Sequence, residues 1–307
     1  MQIITRLEEM TLVSESAVAI GKFDGIHLGH RRLLGEIIAK KTKGMKAVVF
    51  TFNPSPSALF SKVKEKELTS VEEKRKVFEN LGIDILIEFP LTYETAATSK
   101  EAFVKEILVK KLNAKYIAAG TDLSFGKNGE GNSAFLTEEG KKYGFCVEII
   151  DKIAYQGEII SSTLVRQAIS EGNVKKAHFM LGNPYFVQGI VQKGNQLGRT
   201  IGFPTVNILP GEDKLLPPNG VYKTEVIVDN RIFEAITNVG CKPTVSDDCQ
   251  VFIESYLYNF RENIYGKQIE VHFLEFMRKE KKFGSLEELK EQLQKDMRLG
   301  QMINVEV

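Results

Sequence analysis

The sequence is poor in the residues that build disulfide frameworks, zinc sites and membrane spans. Only three cysteines, Cys146, Cys241 and Cys249, occur among 307 residues, and they are too scattered for a disulfide framework or a zinc ribbon. No apolar run reaches about 18 residues, and Met1–Met10 lacks the apolar core of a signal peptide. We therefore expect separate thiols in a reducing, cytoplasmic compartment, and no membrane partner.

An excess of charge of either sign is also missing. Lys and Arg total 41 against 40 for Asp and Glu, which leaves a formal net charge of +1. This balance predicts no long-range attraction to nucleic acid or to anionic membranes, so small molecules are the expected partners. A chain of this length accommodates two domains of roughly 100–200 residues each. The oligomeric state is left open.

The first part of the chain alternates short apolar runs with amphipathic stretches. Ser70 with Glu73, and Thr98 with Glu101, fit the capping box that begins a helix, and Gly82 suits a helix end. Such alternation predicts a Rossmann-like α/β domain with a parallel sheet, whose ligands lie at the carboxyl ends of the strands. The runs predicted as buried strands are Ala17–Ile20, Ala47–Phe52, Asp84–Phe89, Tyr116–Ala119 and Phe145–Ile150.

After Leu181 the pattern changes to alternating apolar and polar residues separated by Gly, Pro, Asn and Asp. This pattern is typical of antiparallel strands in a small β-barrel. Ser285 with Glu288 fits a capping box and predicts one terminal helix. We predict domains at residues 1–182 and 183–307. The predicted strands are Phe186–Gln192, Val221–Val228, Val251–Tyr258 and Ile269–Phe276.

The first chemical motif, residues 21–30, reads Gly-Lys-Phe-Asp-Gly-Ile-His-Leu-Gly-His. It follows the first predicted strand and opens the first helix. Gly21 and Gly25 permit a tight turn, and Gly29 lets a ligand approach the backbone. His27 and His30 stand at a helix N-terminus, where the dipole and free amide donors favour phosphate. Two imidazoles there can donate hydrogen bonds to a phosphate as charge accumulates in a transition state.

Two alternatives for this histidine pair stay open at the level of sequence. A zinc site would need further ligands, and the other two histidines, His178 and His272, are distant in sequence. The histidines could also cap the helix without taking part in catalysis. The combination of strand, glycine turn and helix favours phosphate binding.

The second motif, residues 194–207, reads Gly-Asn-Gln-Leu-Gly-Arg-Thr-Ile-Gly-Phe-Pro-Thr-Val-Asn. It is not a Walker A loop, because Gly194 and Gly198 are too close and no Gly-Lys-Ser/Thr follows. Its glycines would let backbone amides surround phosphates. In an extended segment Thr205 and Asn207 share a face, where their oxygens suit Mg²⁺. The alternative is a Gly/Pro turn that leads into a strand with both side chains solvated.

A carboxylate stands among aromatic residues in the run Val251–Tyr258. Strand alternation places Glu254 on one face with Phe252, Tyr256 and Tyr258. A carboxylate in such a setting can serve as a general base.

These motifs resemble those of the bifunctional riboflavin kinase/FMN adenylyltransferase family, the prokaryotic FAD synthetases. Residues 21–30 are similar to the nucleotidyltransferase motif in its FAD synthetase version, and residues 194–207 resemble the riboflavin kinase signature. Three further segments agree with the adenylyltransferase, namely Thr51–Pro56, Gly120–Gly126 and Ile160–Arg166. The resemblance covers nearly the whole chain.

The resemblance implies phosphorylation of riboflavin to FMN and adenylylation of FMN to FAD, with ATP as co-substrate and Mg²⁺ as cofactor. The catalytic residues that it implies are Glu254 as base in the kinase step, His27, His30 and Arg166. The implied ATP- or phosphate-binding residues are Gly21, Phe23, Asp24, Gly25, Gly29, Ser162, Thr163, Gly194, Gly198 and Arg199. The implied flavin-binding residues are Asn53, Pro54, Pro56, Asp122, Phe125, Tyr256 and Arg278. The implied metal ligands are Thr205 and Asn207.

The sequence departs from the family pattern at Ser55, Leu123 and Tyr256. Two alternative functions therefore stay in view. The first is a nucleotidyltransferase with another acceptor, such as pantetheine phosphate or nicotinamide mononucleotide, which would not account for the motif at residues 194–207. A flavin-binding regulator with degenerate sites would keep the fold without turnover.

Overall fold

The computed structural model describes residues 1–61, 65–194, 198, 201–243 and 249–302. The chain divides into two compact units, the first Met1–Ser162 and the second beginning at Thr163. Within the described part of the chain, no helix is both long and apolar enough to cross a membrane.

The first unit is built on a six-stranded parallel sheet, as the alternation of strands and helices predicts. The five predicted strands are confirmed to within two residues at each end. The additional strand β1 is three residues long with one buried side chain, so it carries no periodic signal. In spatial order the strands are β1 (Gln2–Ile4), β4 (Ile85–Pro90), β3 (Lys46–Asn53), β2 (Ser16–Ile20), β5 (Ala114–Gly120) and β8 (Cys146–Ile150).

Helices cover both faces of this sheet, and apolar side chains fill a core on each face. Two short hairpins, β6–β7 (Ser124–Phe125, Gly131–Asn132) and β9–β10 (Ala154–Tyr155, Glu158–Ile159), lie outside the sheet. The helices of this unit are α1 (Leu28–Ala39), α2 (Pro56–Phe60), α3 (Val71–Asn80), α4 (Tyr93–Ala96), α5 (Lys100–Ala102, continued by the π-helical Phe103–Lys111) and α6 (Ser133–Tyr143).

The helix-start predictions give one confirmation and one error. The capping box of Ser70 and Glu73 is present in both directions, with each side chain accepting the other residue's backbone N–H. The box predicted for Thr98 and Glu101 is wrong, because helix α5 begins one residue later. Ser99 is its N-cap and accepts a hydrogen bond from the Ala102 amide at 3.1 Å. Ser and Thr are both good caps, so adjacent candidates compete for one helix end.

The second unit is a closed six-stranded antiparallel barrel with helices α7 (Ser162–Ser170), α8 (Val174–Leu181) and α9 (Leu286–Met302). The four predicted strands and the terminal helix are confirmed, and β12 and β14 are additional. Around the barrel the strands are β11 (Tyr185–Gln192), β12 (Val206–Ile208), β15 (Cys249–Leu257), β14 (Arg231–Pro243), β13 (Gly220–Val228) and β16 (Gln268–Arg278).

Strand β14 has no clean alternation because α9 covers part of its outer face. Ala235, Ile236 and Thr237 are consecutive and all buried. Ile236 packs in a cluster with Tyr258 and Met297, the last of which lies on α9. Burial on both sides of a strand removes the period-two pattern on which its prediction depends.

A chain of hydroxyl groups crosses the interior of the barrel. Thr237 on β14 lies 2.7 Å from the Thr224 hydroxyl on β13 and 2.7 Å from the Ser255 hydroxyl on β15. All three side chains are buried, so these mutual hydrogen bonds satisfy groups that water does not reach. They also tie three neighbouring strands in one register.

The cysteines only partly follow the expectation of separate thiols. Cys146 is a free, exposed thiol, whereas Cys241 on β14 is disulfide-bonded. The bond is not apparent from the spacing of the three cysteines along the sequence.

Candidate active sites

A strained turn connects β2 to α1 at the carboxyl edge of the parallel sheet. Phe23, Gly25 and Ile26 have φ values of 50°, 81° and 44°, in the left-handed region. For bulky or β-branched residues this conformation costs on the order of 1–3 kcal/mol each, and it persists only where surrounding contacts hold it. The side chains of Phe23 and Ile26 are fully buried. Phe23, predicted to bind nucleotide, therefore directs its ring into the core and offers a ligand only its backbone.

Asp24 holds this turn against a segment more than forty residues away in sequence. Its Oδ1 accepts hydrogen bonds from the amides of Leu68 at 3.0 Å and Thr69 at 3.2 Å, and from the Thr69 hydroxyl at 3.4 Å. The Gly25 amide donates to the Thr69 hydroxyl at 3.1 Å. Ser162, a predicted phosphate ligand, donates its hydroxyl to the Asp24 carbonyl at 2.9 Å.

The two histidines of the first motif lie against each other at the start of α1. His27 is the N-cap, and its Nδ1 accepts the His30 amide at 3.4 Å. The rings stack with centroids 3.8 Å apart at 16°. A Cβ at Gly29 would lie 3.2 Å from the His27 ring, so glycine leaves room for this arrangement. Because Nδ1 is an acceptor, neutral His27 carries its proton on Nε2, and this N–H is a hydrogen-bond donor.

Burial keeps both imidazoles neutral near pH 7. It lowers the pKa of His27 from 6.5 to about 4, although the nearby carboxylates of Asp122 and Asp24 raise it part of the way back. Burial also lowers the pKa of His30 well below its usual range, with a further contribution from His27. Within the described residues, Nδ1 of His30 is buried without a hydrogen-bond partner. The site thus offers neutral donors rather than fixed cations.

The depressed pKa of His27 predicts an acid-labile first unit. Between about pH 4 and 6.5 the unfolded chain binds the proton that folded His27 excludes, so stability falls as the pH falls through this window. We expect His27 to contribute a loss on the order of 2 kcal/mol between pH 7 and pH 5. Denaturant unfolding at both pH values should show a smaller loss in His27→Gln. An NMR titration that places the pKa of His27 near 6.5 in the folded protein would contradict the prediction.

The predicted flavin loops also lie at this edge of the sheet. Asn53 ends β3, Pro56 begins α2, and Asp122 follows β5 and pairs with Lys152 at 2.9 Å. Pro54 lies between Asn53 and Pro56. Phe125 is different, because its ring is buried in the core against Phe103.

Sequence reasoning missed an exposed aromatic pair near this loop. Phe60, at the end of α2, and Tyr93, at the start of α4, contact each other edge-on with centroids 5.9 Å apart. They are 55% and 74% exposed, although aromatic rings are usually covered. Single exposed aromatics are common and carry no periodic signal, so only the contact between these two rings marks them as a candidate site for stacking a ligand ring on one exposed face.

Two further residues of the nucleotidyltransferase motif, Thr163 and Arg166, lie in the second unit. Both are on α7, whose first residue, Ser162, is the last residue of the first unit. Ser162 itself is hydrogen-bonded to the strained turn through the Asp24 carbonyl.

In the second unit, strand pairing places three polar residues in one row. Glu254 on β15 lies opposite Asn207 on β12 and opposite Asn238 on β14. The Thr205 hydroxyl donates to Oε1 of Glu254 at 2.5 Å. Directly opposed residues share a face of the sheet, so the Thr205, Asn207 and Glu254 side chains converge outside the barrel. Asn238 was missed because its strand was not predicted.

The glycines of the second motif permit close backbone approach to this row. A Cβ at Gly194 would lie 2.7 Å from the Asn207 amide nitrogen, and one at Gly198 would collide with the Phe203 carbonyl. The Phe203 amide closes the turn by donating to the Gly198 carbonyl at 2.7 Å. Arg199, predicted to bind phosphate, lies outside the described residues.

The two predicted flavin contacts of this unit differ in their surroundings. Tyr256 lies edge-on to both Phe203 (5.8 Å) and Tyr258 (5.7 Å), within an aromatic cluster beside Glu254. Arg278 instead forms a bidentate ion pair with buried Asp296, with N–O distances of 2.9 and 2.6 Å. This geometry assigns its guanidinium to attaching α9 to the barrel.

The donor atoms beside Glu254 suit a hard cation. Thr205 contributes a hydroxyl oxygen, Asn207 a carboxamide oxygen and Glu254 a carboxylate, the ligand types that Mg²⁺ takes together with water and phosphate. Over the described ranges, no three His, Cys, Asp or Glu side chains are grouped to hold a metal.

Comparison with known proteins gives consistent matches in both units. Residues 10–164 match the family model described as FAD synthetase, and residues 181–303 match that described as riboflavin kinase. A bifunctional riboflavin kinase/FMN adenylyltransferase from Listeria monocytogenes is 39% identical over 91% of this chain and 89% of its own length. The Bacillus subtilis protein of the same name is 35% identical over 92% and 90%.

A solved structure extends this likeness to the whole fold. A crystal structure described as a macrolide-efflux protein from Streptococcus pneumoniae superposes with a TM-score of 0.88 at 30% identity. The match covers 99% of this chain and 100% of that chain. Both units therefore occur together in a related protein.

Proposed function

The chain belongs to the bifunctional riboflavin kinase/FMN adenylyltransferase family, and on this premise we propose that it converts riboflavin to FMN and FMN to FAD with ATP. One structural observation supports this proposal. The two motif sets form two polar clusters, one around His27 in the first unit and one around Glu254 in the second. A cytoplasmic location, where ATP is available, is part of the proposal.

In the adenylyl step the first cluster stabilises charge and needs no protein nucleophile. A phosphate oxygen of FMN attacks the α-phosphorus of ATP, the bond to the β-phosphate breaks, and pyrophosphate leaves. Nε2–H of His27 and the free amides at the start of α1 donate to the phosphate that gains charge. The exposed rings of Phe60 and Tyr93 offer a surface on which the flavin can stack.

In the kinase step the second cluster removes a proton and aligns ATP. Glu254 accepts the proton of the ribityl hydroxyl while that oxygen attacks the γ-phosphorus, and ADP leaves. Thr205 and Asn207 would hold Mg²⁺, which neutralises phosphate charge when bound. Tyr256 and Phe203 form an apolar wall beside the carboxylate.

The alternatives explain less of the chain. A nucleotidyltransferase with another acceptor does not account for the barrel or for the Thr205–Glu254 contact. A regulator with degenerate sites does not require the neutral, stacked histidines at a helix N-terminus. The three residues that depart from the family pattern, Ser55, Leu123 and Tyr256, are not members of either polar cluster.

A chromatographic assay of riboflavin with Mg·ATP tests the proposed function directly. We expect FMN to appear first and FAD to follow, and FMN with Mg·ATP to give FAD and pyrophosphate. Binding of flavin without turnover would support a regulator instead. Adenylylation of pantetheine phosphate or nicotinamide mononucleotide, with riboflavin unchanged, would support the other acceptor.

We propose that the division of activities follows the predicted domains, and this makes a prediction for fragments. A fragment of residues 163–307 should phosphorylate riboflavin and form no FAD. A fragment of residues 183–307 should keep the reaction but unfold roughly 5–10 °C lower. It lacks α8, whose buried Val174, Ala177, Met180 and Leu181 pack in the unit that contains β11 and β16.

Product chromatography and thermal unfolding of both fragments check this prediction. Failure of a folded 163–307 fragment to make FMN would mean that the two halves share one site. Equal melting temperatures for the two fragments would show that α8 adds nothing to the barrel.

A further inference from the structure

The turn before His27 is held in place by one carboxylate. Three hydrogen bonds from Leu68 and Thr69 converge on Oδ1 of Asp24, and the Thr69 hydroxyl in turn accepts the Gly25 amide. Gly25 and Thr69 are both buried, so water does not replace these bonds if they break. The backbone of Asp24 is also engaged, through the Ser162 hydroxyl at its carbonyl.

The turn needs such an anchor because its own residues do not favour its shape. Phe23 and Ile26 adopt left-handed φ values that only glycine adopts without strain, and Gly25 supplies the third. His27 follows directly, so the direction of its ring depends on where this turn ends. A relaxed turn would move Nε2–H of His27 away from the phosphate that it serves.

We infer that Asp24 and Thr69 form a clasp that positions His27 for adenylyl transfer, and that Asp24 acts as a hydrogen-bond acceptor rather than as a charge on the nucleotide or its metal ion. The inference rests on the proposed FMN adenylyltransferase activity. It reassigns Asp24, which the motif resemblance groups with the ATP-binding residues. It also adds Thr69, which no motif contains, as a positioning residue.

The clasp also joins two segments of the first unit. Leu68 and Thr69 directly precede Ser70, the N-cap of α3, whereas Asp24 lies in the loop of the proposed nucleotide side. One carboxylate therefore sets the position of both segments. Its loss should lower turnover more than it weakens the binding of either substrate alone.

Substitutions at Asp24 and Thr69 test whether Asp24 acts as a hydrogen-bond acceptor or through its charge. Asp24→Asn keeps an oxygen that accepts the same backbone amides and removes the charge, whereas Asp24→Ala removes both. Thr69→Ser keeps the hydroxyl, whereas Thr69→Val has nearly the same shape without it and leaves the buried Gly25 amide unsatisfied. FMN formation in each preparation reports on the second unit as an internal control.

The experiment measures kcat and KM for FMN and for ATP in FAD formation. We expect Asp24→Asn and Thr69→Ser to stay close to the parent, and Asp24→Ala and Thr69→Val to lower kcat by roughly 10- to 100-fold with smaller changes in KM. Asp84 provides a matched control, because its carboxylate accepts the Ala47 amide at 2.9 Å at the other end of β3. Asp84→Ala should lower stability and leave kcat unchanged.

Two results would overturn the inference. If Asp24→Asn loses as much kcat as Asp24→Ala, the charge itself acts on the substrates. If Thr69→Val keeps the parent kcat, no clasp is needed. Should Asp24→Ala fail to fold, Asp24→Asn and the Thr69 pair still decide between these outcomes. Absence of FAD formation in the parent protein would instead refute the proposed function.

Discussion

Glu254→Gln lowers the rate of FMN formation by about 10²–10⁴-fold, the usual contribution of a positioned base. Gln keeps the shape of the side chain and still hydrogen-bonds the Thr205 hydroxyl, which lies 2.5 Å from the parent carboxylate. It has no affinity for the proton of the ribityl hydroxyl, however. The phosphate of FMN is already anionic, so FAD formation from supplied FMN stays near the parent rate.

Steady-state kinetics of both reactions check this prediction in one preparation. Glu234→Gln is the matched control, since Glu234 lies 59% exposed on β14 of the same barrel and takes no part in the polar row. Riboflavin affinity should change little, because the aromatic cluster of Phe203 and Tyr256 is untouched. If the Gln variant keeps most of its kinase activity, Glu254 serves mainly to place Thr205, and phosphoryl transfer relies on positioning and charge alone.

His27→Ala and His30→Ala each lower FAD formation by roughly 10²-fold or more, the effect of removing one preorganised donor from a transition state. The His27→Ala variant loses the Nε2–H that we propose donates to the phosphate. His30→Ala removes the ring that stacks on His27 at 3.8 Å, so it also frees the His27 ring to turn. FMN formation persists in both variants, because the second unit has its own polar row.

The same two assays, run side by side, test the histidine prediction. His178→Ala is the control, since His178 lies on α8 in the second unit. His27→Gln and His27→Ala should differ, because Gln retains a donor of similar reach. A parallel fall of both activities in folded variants would show that the first motif does not belong to one reaction.

Much of the fold could be predicted because local sequence patterns record burial. Continuous apolar runs such as Ala47–Phe52 mark parallel strands covered on both faces. Alternation such as that of Phe252–Leu257, where Ile253, Ser255 and Leu257 are buried and the residues between them are partly exposed, marks a half-covered barrel strand. Short-range signals were equally reliable where one candidate stood alone, as at Ser70, and failed where two stood together, as at Thr98 and Ser99.

The two motif sets, the division into α/β and β parts, and the position of His27 and His30 at a helix start could all be read from the amino-acid sequence. All of these depend on residues close together in the chain, whose spacing is set by helix and strand geometry. Three further features became visible only in the folded protein: Asp24 is hydrogen-bonded to Thr69, the Phe125 ring is buried in the core, and Arg278 is paired with Asp296. These partners are brought together by packing between distant segments, and local spacing carries no record of which segments meet.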